Sequence, residues 1–144
     1  MKEQNFKNHA QYVPLYHGLT SLLIIGGLIA AIVKLTHALH DVSGRMVAAL
    51  LVLLFIIAGL FFWYIRAFSL RAQDRAIRAE ENLRYFSITG KLFDARLRMG
   101  QIIALRFAPD DELVVLTDRA VKENLSSADI KKSINAWKGD HYRV

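Results

Sequence analysis

Between Lys7 and Lys34 the chain carries no Asp, Glu, Lys or Arg, and its continuous apolar part runs from about Leu15 to Val33. A second uncharged run, Met46 to Ile65, is 20 residues long and holds no strongly polar side chain. At about 1.5 Å of rise per helical residue, each run reaches roughly 30 Å, the thickness of a hydrocarbon core. The pattern predicts two transmembrane helices, at about residues 15–35 and 46–65, after an N-terminal arm of residues 1–14. A signal peptide competes for the first run. The aromatic stretch Asn8 to His17 is long for a basic leader, and Lys34-Leu35-Thr36-His37 follows the run with no small-residue cleavage site. The first run is therefore read as a retained span.

The connection between the runs, Lys34 to Arg45, is short, and Asp41-Val-Ser-Gly44 supplies turn chemistry. A short link makes the two helices antiparallel neighbours, with both termini on one side. Basic residues choose the side. The connection offers Lys34 and Arg45, whereas the flanks offer Lys2, Lys7, Arg66, Arg71, Arg75, Arg78 and Arg84, so cytoplasmic termini are expected. Tyr12, Tyr16 and His17 of the first helix and Trp63 and Tyr64 of the second fall at the same interface and read as an aromatic belt.

Past Ile65 the pattern changes without a break. Ile65, Phe68, Ala72, Ala76, Ala79, Leu83 and Phe86 recur at spacings of three and four, with Arg71, Arg75 and Arg78 on another stripe. One helix leaving the membrane as an extension of the second span is predicted, and its alanine-rich seam would admit a close neighbour from the same chain or another subunit. Thr89-Gly90 ends it. Three shorter helices are expected beyond: one over Gln101 to Phe107, one from Asp110 to about Asn124, and one capped by Ser126-Ser-Ala-Asp129 with Ile130, Ile134 and Trp137 on one face. Asp110, Asp111 and Glu112 place negative charge where a helix dipole favours it. Residues 66–144 thus form a cytoplasmic helical domain. Its last 58 residues are few for an isolated core and are expected to pack on the preceding helix or on a sister subunit. The fold class is an all-α membrane protein, a two-helix transmembrane hairpin whose second span continues into that domain.

Composition narrows the chemistry. The 144 residues include no Cys, which excludes disulfide scaffolds, thiolate nucleophiles and cysteine-ligated zinc or iron–sulfur centres. Mean hydropathy is +0.24 although 22% of the residues are charged, which matches apolar and polar segments joined end to end. The net charge of +6 sits largely beside the membrane, and from Arg66 onward 15 basic residues face 11 acidic ones, a mixed surface that does not suggest nucleic acid. His37 and His40 with Asp41 form a weak candidate metal site at one helix end. A bis-histidine haem within one chain fails because the second span has no His. No phosphate loop, nucleophile elbow or metalloprotease motif is present, so no cofactor or catalytic residue is assigned.

Three further features concern packing. Gly26 with Ala30 and Gly27 with Ala31 are small-residue pairs that let helices approach closely, within the hairpin or in a homo-oligomer. Within the membrane only Thr20 and Ser21 are polar, near one end, which disfavours a selective pore. Arg75, Arg78 and Arg84 form a possible docking face for the acidic Asp110-Asp-Glu112 turn, although a solvated face laced with helical ion pairs explains them as well.

The segments Lys2-Glu-Gln-Asn-Phe-Lys-Asn8, Gln73-Asp-Arg-Ala-Ile-Arg-Ala-Glu-Glu-Asn-Leu-Arg84 and Gln101-Ile-Ile-Ala-Leu-Arg-Phe-Ala108 carry a resemblance to a known family. Ile130-Lys-Lys132, Trp137 and Asp140-His-Tyr-Arg143 complete it. Nearly the whole chain is similar to a family of small uncharacterised bacterial membrane proteins, a domain of unknown function. The resemblance implies a two-span inner-membrane protein and brings no site residues. The function expected from all of this is non-enzymatic assembly or anchoring in the lipid bilayer, by self-association or as a small subunit of a complex. A minimal oligomeric channel or lipid-binding protein is the alternative. An enzyme acting on lipid head groups near His17 and Arg66 is the least favoured reading.

Overall fold

The computed structural model describes residues 5–6, 12–38 and 41–140. All regular structure among them is helical: a π-wound segment Leu15–Thr20, then α1 (Ser21–His37), α2 (Val42–Thr89), α3 (Met99–Leu105), α4 (Asp110–Lys122) and α5 (Ser127–Ser133). The chain divides into two compact units. One is residues 12–69; the other is residues 70–144 together with residues 1–11. α2 contributes to both.

The unit of residues 12–69 is an antiparallel hairpin. It starts at Pro14, and the Thr20 hydroxyl donates to the Leu15 carbonyl, five residues back, at 3.1 Å. α1 ends at His37 and α2 begins at Val42, inside the connection that the charges placed between Lys34 and Arg45. Charges mark where a bilayer would end; Lys34, Thr36, His37 and Arg45 are all tolerated in helix, so the helices extend past those marks. Asp41 caps α2, its two carboxylate oxygens accepting the N–H groups of Ser43 (3.1 Å) and Gly44 (3.0 Å). A Cβ on Gly44 would collide with that carboxylate. The π-wound segment with α1 (Leu15–His37) and α2 are each long and apolar enough to cross a membrane. Only 6% of the apolar window in each is buried, and Leu22, Leu23, Ile25, Leu50, Leu54, Phe61 and Trp63 are exposed.

The unit of residues 70–144 has an interior of its own. Gly90, with φ of 71°, ends α2 in the left-handed conformation that favours glycine, and its N–H donates to the Phe86 carbonyl at 2.8 Å. α3, α4 and α5 then surround Ile102, Leu105, Phe107, Leu113 and Ile130, the largest fully buried side chains. α2 joins this interior through Tyr85, whose ring stacks on Phe93 at 4.6 Å. Burial first, and then the nearby Asp118 carboxylate, push the Tyr85 phenol up from its ordinary value, so it stays neutral.

Helix ends follow local chemistry. α4 starts after Pro109 with Asp110, Asp111 and Glu112 in its first turn and has Arg119 and Lys122 in its last, matching the dipole at both ends. It closes at Asn124, which takes a φ of 49° while the Leu125 N–H reaches back to the Ala120 carbonyl at 3.2 Å. Ser126 caps α5, accepting the Asp129 N–H at 3.1 Å. α5 stops at Ser133, earlier than the run of Ile134 and Trp137 predicted. The carboxylate of Glu112 accepts the N–H groups of Asn135 and Ala136 at 3.0 Å each, and this pair of bonds draws the chain out of the helix. Trp137 therefore reaches the core from a non-helical segment and lies 4.9 Å from the Phe107 ring.

Candidate functional site

Within the hairpin, close contact involves one of the two small-residue pairs and not the other. Gly27 lies under the Phe55 ring so tightly that a Cβ there would enter it, while a Cβ on Gly26 would meet nothing within 4 Å. Ala31 is buried and Ala30 exposed. Gly27 and Ala31 thus share the face turned to α2, and Gly26 and Ala30 point away. The same contact line includes Gly59 near Ile24, and Tyr16, whose hydroxyl donates to the Phe62 carbonyl at 2.7 Å as its ring stacks on Phe62 at 4.4 Å. His17 stacks on Tyr12 at 4.9 Å and meets Tyr16 edge-on at 5.1 Å.

At the other end of the hairpin stand two members of the metal candidate, His37 and Asp41. His37 Nδ1 sits 2.7 Å from the Val33 carbonyl, and both carboxylate oxygens of Asp41 are committed to the α2 cap. His40 lies outside the described residues. No group of three metal-ligating side chains exists among the described residues.

In the unit of residues 70–144, Arg84 meets the acidic turn and Arg75 and Arg78 do not. Arg84 Nη1 donates to Glu81 at 3.0 Å, Nε to Asp110 at 2.7 Å, and Nη2 to the Ala108 carbonyl at 2.8 Å. The guanidinium therefore fastens α2 to the start of α4 and satisfies a carbonyl between α3 and α4. Asp110 is 72% exposed, so the bond to the Ala108 carbonyl carries most of the attachment, while the shielded pair with Glu81, within α2 itself, holds the guanidinium in place. Glu112 holds the backbone after α5 as described above, and Arg75 and Arg78 are exposed.

A second charged group was not legible as a pair. Arg106 stands inside the apolar run Ile102-Ile-Ala-Leu-Arg-Phe107, its side chain only 4% exposed, and Nη1 lies 2.9 Å from Asp140. Its guanidinium also lies 4.7 Å from the Phe107 ring centre. A buried cation costs heavily without a partner, so a lone Arg in such a run is itself a signal of one. The partner's position, 34 residues away in a non-helical segment, leaves no local trace. Ile77, Glu80, Glu81, Lys138 and Gly139 complete the walls of a cavity of about 230 Å³ beside this pair. Three carboxylates and two cations line it, which suits water better than an anion. Gln101 is likewise buried, accepting the Arg98 N–H at 2.8 Å and donating to the Leu125 carbonyl at 2.9 Å. On the surface, Asp94 accepts from the Arg96 side chain and backbone, which holds its carboxyl down to about 2.

These contacts tie helices together; they do not converge on a ligand. The described residues define an all-helical protein with an apolar hairpin and a separate helical unit closed by internal ion pairs. The chain belongs to DUF6526, a family of unknown function, which it matches over residues 1–144. No curated protein and no solved structure matches it.

Proposed function

We propose that the protein is an integral protein of the bacterial inner membrane that works by anchoring and assembly, not catalysis. The hairpin crosses the bilayer twice, both termini are cytoplasmic, and the helical unit acts as a self-associating module or as a small subunit of a larger complex. One observation carries the reading: the hairpin leaves most of its large apolar side chains exposed, with 6% of each window buried, while residues 93–140, Val115 apart, bury theirs wholly or partly around a closed core. A buried soluble helix would have the opposite profile. In water so large an apolar surface would aggregate, and lipid tails cover it at no such cost. The basic residues flanking the arm and the second span support cytoplasmic termini. Because α2 carries residues of both units, the helical unit cannot leave the membrane once the hairpin is inserted.

Alkaline carbonate extraction of membranes from cells making the full chain checks this. The protein is expected in the pellet with the bilayer. Its release into the supernatant would contradict the reading.

A further inference from the structure

The stripe that the periodicity picked out on α2 is left exposed among the described residues. At about 100° per residue, Ala72, Ala76, Ala79, Leu83 and Phe86 fall within an arc of roughly 80°. All five are exposed, Leu83 by 68% and Phe86 by 49%. The residues that bind the rest of this unit, Ile77, Glu81, Arg84 and Tyr85, lie on the far side of the helix. The helical unit therefore closes its core and still presents an apolar helix face.

We propose that this face is a parallel two-stranded seam with α2 of a second copy of the chain; the parallel sense rests on the membrane reading above. Spacings of four, three, four and three from Ala72 to Phe86 match the repeat that lets two helices keep one seam in contact. The alanines allow close approach, and Leu83 and Phe86 supply the larger apolar area. Charge then selects the occupant. Arg75 directly precedes a seam position and Glu80 directly follows one, five residues on. In a parallel pair these two flanking positions face each other across the seam, so Arg75 of each copy meets Glu80 of the other, twice by symmetry. Neither has an ion-pair partner among the described residues, and both are exposed. An antiparallel pair would set Arg75 opposite Asn82 or Phe68-type positions and offer it no acid. Two copies inserted in one orientation run α2 the same way, and confinement to the bilayer raises their effective concentration.

The chain has no Cys, so a single introduced thiol reports its own neighbours. In membranes holding the full chain, Ala79→Cys should cross-link to a dimer under mild oxidation, and Arg78→Cys, exposed but off the stripe, should not. In the Ala79→Cys background, Arg75→Glu or Glu80→Arg should each slow cross-linking by roughly fivefold, as two symmetric pairs pass from attraction to repulsion. The double exchange should restore the rate. Equal cross-linking at 78 and 79, or no rescue by the double exchange, would overturn the seam. Carbonate extraction of the same membranes reports the anchoring reading separately, so the two fail independently.

Discussion

Gly27→Leu should weaken the hairpin and Gly26→Leu should not. The Phe55 ring fills the space a side chain at Gly27 would need, whereas Gly26 faces outward with nothing within 4 Å of a built Cβ. Leucine at 27 must push the two helices apart or turn Phe55 out of its place, and overpacking of this kind costs about 1–3 kcal/mol. Lipid tails are as apolar as the displaced ring, so the loss is one of close contact between helices, not of burial from water. At Gly26 the leucine adds one more exposed apolar group, and a change within about 0.5 kcal/mol is expected. Thermal unfolding of the detergent-solubilised full chain, followed by helicity, compares the two. A lower midpoint for Gly27→Leu alone fits the contact; equal midpoints would mean that α1 does not press on α2 at this point.

Phe107→Ala should have the largest effect in the other unit. Phe107 is 1% exposed and packs against the Trp137 ring, and its carbonyl accepts the Lys138 N–H at 2.8 Å. Removing a buried phenylalanine ring costs about 3–5 kcal/mol. A unit of this size is stable by a few to about ten kcal/mol in all, so the variant keeps little or no cooperative structure at 37 °C. Val115→Ala is the control, because Val115 is 66% exposed on α4 and should change stability by under about 0.5 kcal/mol. Hydrogen exchange on the full chain reads both. Protection of α3, α4 and α5 should collapse in Phe107→Ala and persist in Val115→Ala. Persistent protection in the first would remove Phe107 from the centre of the core.

What the sequence disclosed is what acts locally. The stop at Gly90, the start of α4 at Asp110 and the Ser126 cap each involve residues within a few positions of one another, and each stands where the pattern put it; the two uncharged apolar runs lie inside helices that extend past them. The features that were hidden join distant residues. α5 ends early because Glu112 captures the backbone at 135 and 136, and nothing near Ile134 announces it. The seal on Arg106 comes from Asp140. Of the three arginines read as one docking face, only Arg84 lies on the side of α2 turned to the core, and the periodicity could not say which side that would be, because the apolar stripe lies opposite it. The small-residue pairs in α1 were equally ambiguous, since Gly26 and Gly27 both satisfy the motif and only the position of Phe55 separates them.

We propose that the apolar hairpin spans a bilayer with the helical unit on the cytoplasmic side. Single thiols in the otherwise Cys-free chain test it directly. Ser43 is exposed at the start of α2, in the connection, and Ala128 is exposed on α5. In intact spheroplasts a membrane-impermeant maleimide should label Ser43→Cys and leave Ala128→Cys unlabelled until the membrane is opened. Labelling of Ala128→Cys from outside with Ser43→Cys protected would invert the topology, and labelling of both from outside would contradict a hairpin that crosses the membrane.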